Sequence, residues 1–198
     1  MLKIGITGGI GSGKTIVCDI FRQLNIPVYN ADNEAGKILI NNNSVRLSLI
    51  ENFGKNIYLN SSEINKKILA NIIFNDKKAL NKINAIVHPA VWQNFLSFVQ
   101  NKSCYNYVIL EAAILIESGF HKNMDYVINV SAPKDLRISR VKMRDNITKE
   151  AVLNRINNQL SEQERIDFSD FIITNDDKQL VLPQVLDLHK KLIINSSC

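Results

Sequence analysis

The chain has 198 residues, with 24 Lys and Arg against 19 Asp and Glu, a formal charge of +5 and 45% hydrophobic residues. This excludes a mainly disordered chain, a disulfide-stapled miniprotein and a collagen-like repeat, and the length fits one domain with room for an insertion. No apolar run approaches the roughly 20 residues of a membrane-spanning helix, and Met1–Ile4 runs into strand-like sequence instead of a secretory leader.

A cytoplasmic protein with no membrane partner is therefore expected. The positive charge is too small and too scattered for a nucleic-acid partner but suits an anionic small molecule. Cys18, Cys104 and Cys198 lie far apart, and His88, His121 and His189 lack ligand spacing. Reduced thiols, with Cys198 exposed to oxidation at the C-terminus, are the expectation, and no thiolate or imidazole metal centre.

Leu2–Thr7 is a short apolar run that ends in a glycine-rich loop. After the loop, Val17, Ile20, Phe21 and Leu24 recur at helical spacing over 14–24. Pro27-Val28-Tyr29 reads as a second strand, ending at Asn30-Ala31-Asp32. From Glu34 to about Gln100 the pattern is mostly helical, and His88-Pro89 is expected to break or kink it. Tyr107–Leu110 and Tyr126–Val130 are strands. A helix follows Pro133 through about Arg144, and a charged helical excursion over the surface covers 145–167. Asp170–Thr174 is the last strand and Gln179–Ile193 the closing helix. Strands alternating with helices predict an α/β fold with a parallel sheet flanked by helices.

Gly8-Gly9-Ile10-Gly11-Ser12-Gly13-Lys14-Thr15 fits G-x-x-x-x-G-K-[ST] at every fixed position, between a predicted strand and a predicted helix. Backbone N–H groups of Gly9, Ile10, Gly11, Ser12 and Gly13 would cradle phosphates, aided by the positive end of the following helix. Lys14 would reach the β- and γ-phosphates, and the Thr15 hydroxyl would ligate Mg²⁺. ATP with Mg²⁺ is the expected co-substrate. Guanine-reading and switch motifs of GTPases are missing, so a small-molecule kinase is favoured over a GTPase. Arg137, Arg140 and Arg144 fall at i, i+3 and i+7 on one predicted helix face. They serve either a triphosphate or a merely solvated surface with acidic partners.

T-G-G-I-G-S-G-K with Asn30-Ala31-Asp32, His88-Pro89, A-I-L-I-E at 113–117, R-x-x-x-R-D at 140–145, R-I-x-x-Q at 155–159 and D-F-I-I-T-N-D at 170–176 follow one another in order. Together they resemble the dephospho-coenzyme A kinase family. The resemblance implies transfer of the ATP γ-phosphate to the ribose 3′-hydroxyl of dephospho-coenzyme A, a small-molecule substrate. It also implies a P-loop kinase core at about 1–31, 104–139 and 166–198, a helical substrate domain at about 32–103, and a mobile helical lid at about 140–165.

In this reading Asp32 is the base, or orients the hydroxyl or holds Mg²⁺ through water, with helix capping as its structural alternative. Arg140 and Arg144 contact the nucleotide, Arg155 closes from the lid, Asn175 lies in the adenine-side loop and His88 contacts the acceptor. The chain departs from the family where Asn30 replaces an aspartate, where Ala112-Ala113-Ile114-Leu115 lacks a proline, and where Asp177 replaces a glycine. A P-loop kinase for a nucleoside or nucleoside monophosphate, and a non-catalytic ATP-binding regulator, are the alternatives.

Overall fold

The computed structural model describes residues 1–60 and 63–196; Cys198 lies outside them. In chain order the elements are β1 (Leu2–Thr7), α1 (Lys14–Gln23), β2 (Val28–Asn30), α2 (Ala31–Asn41), α3 (Asn43–Phe53), β3 (Tyr58–Asn60), β4 (Glu63–Ile64) and α4 (Lys66–Asn75). There follow α5 (Lys77–Gln100), β5 (Tyr107–Glu111), β6 (Tyr126–Ser131), α6 (Lys134–Asp145), α7 (Lys149–Asn157), α8 (Glu162–Asp167), β7 (Phe171–Thr174) and α9 (Val181–Ser196).

Residues 1–30 and 99–198 form one unit, and 31–98 form a second. The first unit holds a five-stranded sheet of order β2-β5-β1-β6-β7 in which every pair is parallel. β1 is its central strand, with Ile4 opposite Ile109 on one side and Tyr126 on the other. Burial on both faces explains why these strands read as apolar runs rather than as alternating ones. Ile4, Ile6, Val17, Phe21, Ile128, Val185 and Leu192 share one core, so α1 and α9 cover the same part of the sheet. A smaller core joins Ile138 and Val141 of α6 to Val152 of α7. Because all five strands run the same way, their carboxyl ends lie along one edge, where ligands bind in such sheets.

The second unit is helical apart from a two-stranded antiparallel sheet of β3 and β4, which the helical reading of this region did not anticipate. Helix α5 runs unbroken through Pro89, so of the break or kink expected at His88-Pro89 the break does not occur. Proline removes one backbone hydrogen bond there, but Ile83, Val87, Val91 and Phe95 repeat every four residues and are all buried, and that packing outweighs the local penalty. Among the described residues no helix is long and apolar enough to cross a membrane.

Candidate active site at the phosphate loop

β1 ends at Thr7, and Gly8–Gly13 turn the chain into α1, with Ser12 N–H closing onto the Gly9 carbonyl at 3.0 Å. Gly13 takes φ 96° at the entry to α1, and no side chain caps that helix. A helix N-terminus without a side-chain cap suits an anion. A side chain at Gly13 would also collide with Asn175, whose Nδ2 lies 2.1 Å from where a β-carbon would stand. Lys14 Nζ donates to the Gly8 carbonyl at 2.8 Å, so its ammonium folds back over the loop. Thr15 is exposed in the first turn of α1, and the Ser12 hydroxyl is buried with no hydrogen-bond partner.

Arg140, on α6, reaches the loop directly. Its Nη1 donates to the Gly11 carbonyl at 3.5 Å and the Asn175 carbonyl at 3.2 Å, and Nη2 to Asn175 Oδ1 at 3.2 Å and Asp177 Oδ1 at 2.5 Å. Asn175, one residue past β7, donates from Nδ2 to the Ser12 carbonyl at 2.8 Å while its own N–H bonds Ser131. The sequence thus brings together the loop, Arg140 and Asn175, all within the first unit.

The three arginines all lie on α6, at i, i+3 and i+7, and each has an acidic partner. Arg137 pairs with Glu162, Arg140 with Asp177 and Arg144 with Asp145, three different carboxylates. Asp145 also accepts from Arg155 Nη1 at 2.7 Å. Hydrogen bonds from Arg144 and Arg155 hold the Asp145 carboxyl below its usual range.

Segment 145–167 is more than a surface excursion: Val152 and Arg165 are buried. Gln159 Oε1 accepts from the loop's Ile10 N–H at 2.8 Å, and Leu160 N–H donates to Glu117 at 3.2 Å. Ser161 and Glu164 then form a reciprocal capping box that starts α8. Arg165 donates from Nη2 to Glu162 Oε2 at 2.5 Å and from Nη1 to the Leu160 carbonyl. Burial alone would raise the Glu162 carboxyl, but hydrogen bonds from Arg165, Ser131 and Asn129 bring it below its ordinary value. Burial, with the charge of Arg165, pulls the Arg137 guanidinium down. Gln159 closes the R-I-x-x-Q stretch without an expected role, and Glu162 and Arg165 look solvated in a charge-rich sequence.

The sequence pattern of the dephospho-CoA kinase family matches residues 2–180. The chain belongs to the dephospho-CoA kinase family. It is 36% identical over 187 residues to the Bacteroides fragilis dephospho-CoA kinase, covering 94% of this chain and 91% of that one. The Dehalococcoides mccartyi dephospho-CoA kinase is 33% identical, covering 88% and 89%. The solved dephospho-CoA kinase from Campylobacter jejuni superposes with a TM-score of 0.71 at 27% identity, covering 98% of each chain. A shikimate kinase from Acinetobacter baumannii shares the fold alone, with a TM-score of 0.57 at 14% identity. The chain is a kinase.

Two departures from the dephospho-CoA kinase pattern have a physical reading. Asn30 donates from Nδ2 to the buried Glu111 Oε2 at 2.8 Å across β2 and β5, where an aspartate would set two carboxylates against each other. Asp177 has φ 61°, the left-handed conformation that favours glycine and that aspartate tolerates. Its carboxylate holds Arg140. Ala113 lies in a turn and offers its carbonyl to Gln159 at 3.5 Å, with no consequence of the missing proline evident.

In the second unit, Asp32 is exposed in the first turn of α2, two residues past β2. The helix already begins at Ala31, so Asp32 is not the residue before it, although a carboxylate in the first turn still suits the helix dipole. His88 lies on α5, half-buried, and burial lowers its imidazole pKa.

Proposed function

We propose that this chain transfers the γ-phosphate of ATP to the ribose 3′-hydroxyl of dephospho-CoA, giving coenzyme A, the last step of coenzyme A biosynthesis. The observation that carries the reading is the uncapped, Lys14-bearing loop held by Arg140 and Asn175 in a chain of this family. The loop N–H groups and α1 bind the β- and γ-phosphates. Lys14 exchanges the Gly8 carbonyl for phosphate oxygen, and Arg140 and Arg144 lend charge to the transferring group. Asn175 borders the adenine.

The donor set suits Mg²⁺, a hard ion that keeps several waters and needs few protein oxygens besides the substrate phosphates. Thr15 Oγ1 would hold it, with Asp32 through water, and it would neutralise developing phosphate charge. The 3′-oxygen bonds to the γ-phosphorus as the bond to the β-γ bridging oxygen breaks, and Asp32 accepts or steers the hydroxyl proton. Residues 32–103 form the acceptor domain, with His88 against dephospho-CoA. Residues 140–165 form a lid from which Arg155 approaches the phosphates and excludes water. The reaction takes place in the cytoplasm.

The test is product analysis by phosphorus NMR with Mg-ATP and dephospho-CoA. A new phosphate at the ribose 3′ position is expected, and Asp32→Asn should slow turnover by roughly a hundredfold or more at nearly constant ATP affinity. A product phosphorylated elsewhere contradicts the reading.

A further inference from the structure

Arg137 and Arg165 are only 4% and 1% exposed, and both donate to one oxygen of one carboxylate, Glu162 Oε2, at 3.2 and 2.5 Å. The other oxygen of that carboxylate accepts from Asn129 Nδ2 at 3.1 Å. Two guanidiniums against one carboxylate leave one positive charge in excess, and the Nε atom of each arginine is buried with no hydrogen-bond partner. Buried charge is expensive unless paired, so a surplus of this kind needs a use.

Its location gives one. A β-carbon added to Gly9, the second residue of the loop, would stand 2.2 Å from Arg137 Nη1 and 3.0 Å from Arg165 Nη2. The guanidiniums therefore press against the backbone of the loop itself, and only glycine admits them. The next residue is tied to the same segment, through Ile10 N–H and Gln159. The triad also lines a cleft of about 920 Å³ that Lys134, Ser131 and Asp176 share.

We propose that Arg165 and Glu162 are positioning residues that hold Arg137 against Gly9, and that the triad's surplus charge sets the loop's affinity for polyphosphate. Arg165 supplies the second positive charge and fixes Glu162, and Glu162 attenuates both. The inference rests on the reading of the loop as a triphosphate site but not on the identity of the acceptor.

A charge role and a packing role differ in sign. Calorimetric titration of the full chain with ATP and, separately, adenosine compares wild type with Arg165→Met and Glu162→Gln. Arg165→Met should weaken ATP binding roughly tenfold and Glu162→Gln should tighten it severalfold, with adenosine affinity little changed in either. Weaker ATP binding in both variants, or parallel loss of adenosine, means packing alone and overturns the proposal. Should a variant fail to fold, the unmodified protein gives the answer by NMR. The Nε–H resonances of Arg137 and Arg165 should move on addition of inorganic tripolyphosphate and not of adenosine, and unmoved resonances overturn the proposal. Wild-type turnover with dephospho-CoA, measured alongside, separates the two readings: ATP binding without that turnover removes the acceptor assignment and leaves the charge triad standing.

Discussion

The side-chain amide of Asn175 is hydrogen-bonded to the backbone carbonyl of Ser12 across 2.8 Å in a buried position. A residue from the last strand's loop thereby fixes the curvature of a loop whose Ser12 lies 163 residues earlier in the chain. Its other amide atom takes Arg140, so one carboxamide sets both the loop and the cation above it. Asn175→Ala should raise the KM for ATP roughly tenfold, since losing the partner of a buried polar group costs about 1–3 kcal/mol. Asn175→Asp should be worse, because it sets a carboxylate against the Ser12 carbonyl. Steady-state kinetics at saturating acceptor checks both, and an unchanged KM in either variant counts against the clamp.

Under the proposed function, Asp177 would compete with phosphate for Arg140. Its left-handed backbone is also a conformation that glycine adopts more readily. Asp177→Gly should lower the KM for ATP by roughly two- to fivefold, as befits an ion pair with one exposed partner. Half of that gain should survive in Asp177→Asn if the charge matters as much as the backbone. A raised KM in Asp177→Gly would mean that the carboxylate holds Arg140 in its working position.

How much of this was legible beforehand follows from the physics of each element. The strand Leu2–Thr7, the loop and its helix are local, and their sequence signals are strong. Asn175 and Arg140 could be named from the family resemblance, but their bond could not, because it depends on strands β6 and β7 lying side by side. The β3–β4 pair escaped notice because strands of three and two residues carry no periodicity. Pro89 misled because its local preference is real and packing overrides it. Arg165 misled because a buried guanidinium and a solvated one have the same sequence, and only the reach of Glu162 distinguishes them.

Tyr107 Oη lies 2.6 Å from His189 Nδ1. Burial raises the phenol and lowers the imidazole, so the phenol O–H donates to a neutral ring. An unfolded histidine titrates near 6.5, above the folded value, so the unfolded chain holds more protons between the two. The stability from His189 is therefore fully present above about pH 6.5 and is lost as the pH falls toward the folded value. Thermal midpoints should decline over that window, and His189→Asn should flatten the decline, with His88 supplying a further part in the same direction. A midpoint that rises on acidification through this range would contradict the assignment.

Cys18 is buried on the inner face of the loop helix, and burial, then the nearby charge of Glu111, pushes its thiol far above the usual range. Cys104 is exposed. Iodoacetamide should label the Cys104 peptide rapidly in the native protein and the Cys18 peptide only after unfolding. Comparable rates, read by peptide mass spectrometry, would show that α1 opens readily.

An acceptor-specific kinase built on the Lys14 loop must couple ADP release to one acceptor. The most direct measurement is ADP release from Mg-ATP with dephospho-CoA, adenosine, a nucleoside monophosphate or no acceptor present. Release that depends on dephospho-CoA and is abolished in Lys14→Ala is the predicted result. Release driven equally by adenosine or a nucleoside monophosphate, or unaffected by Lys14→Ala, would contradict it.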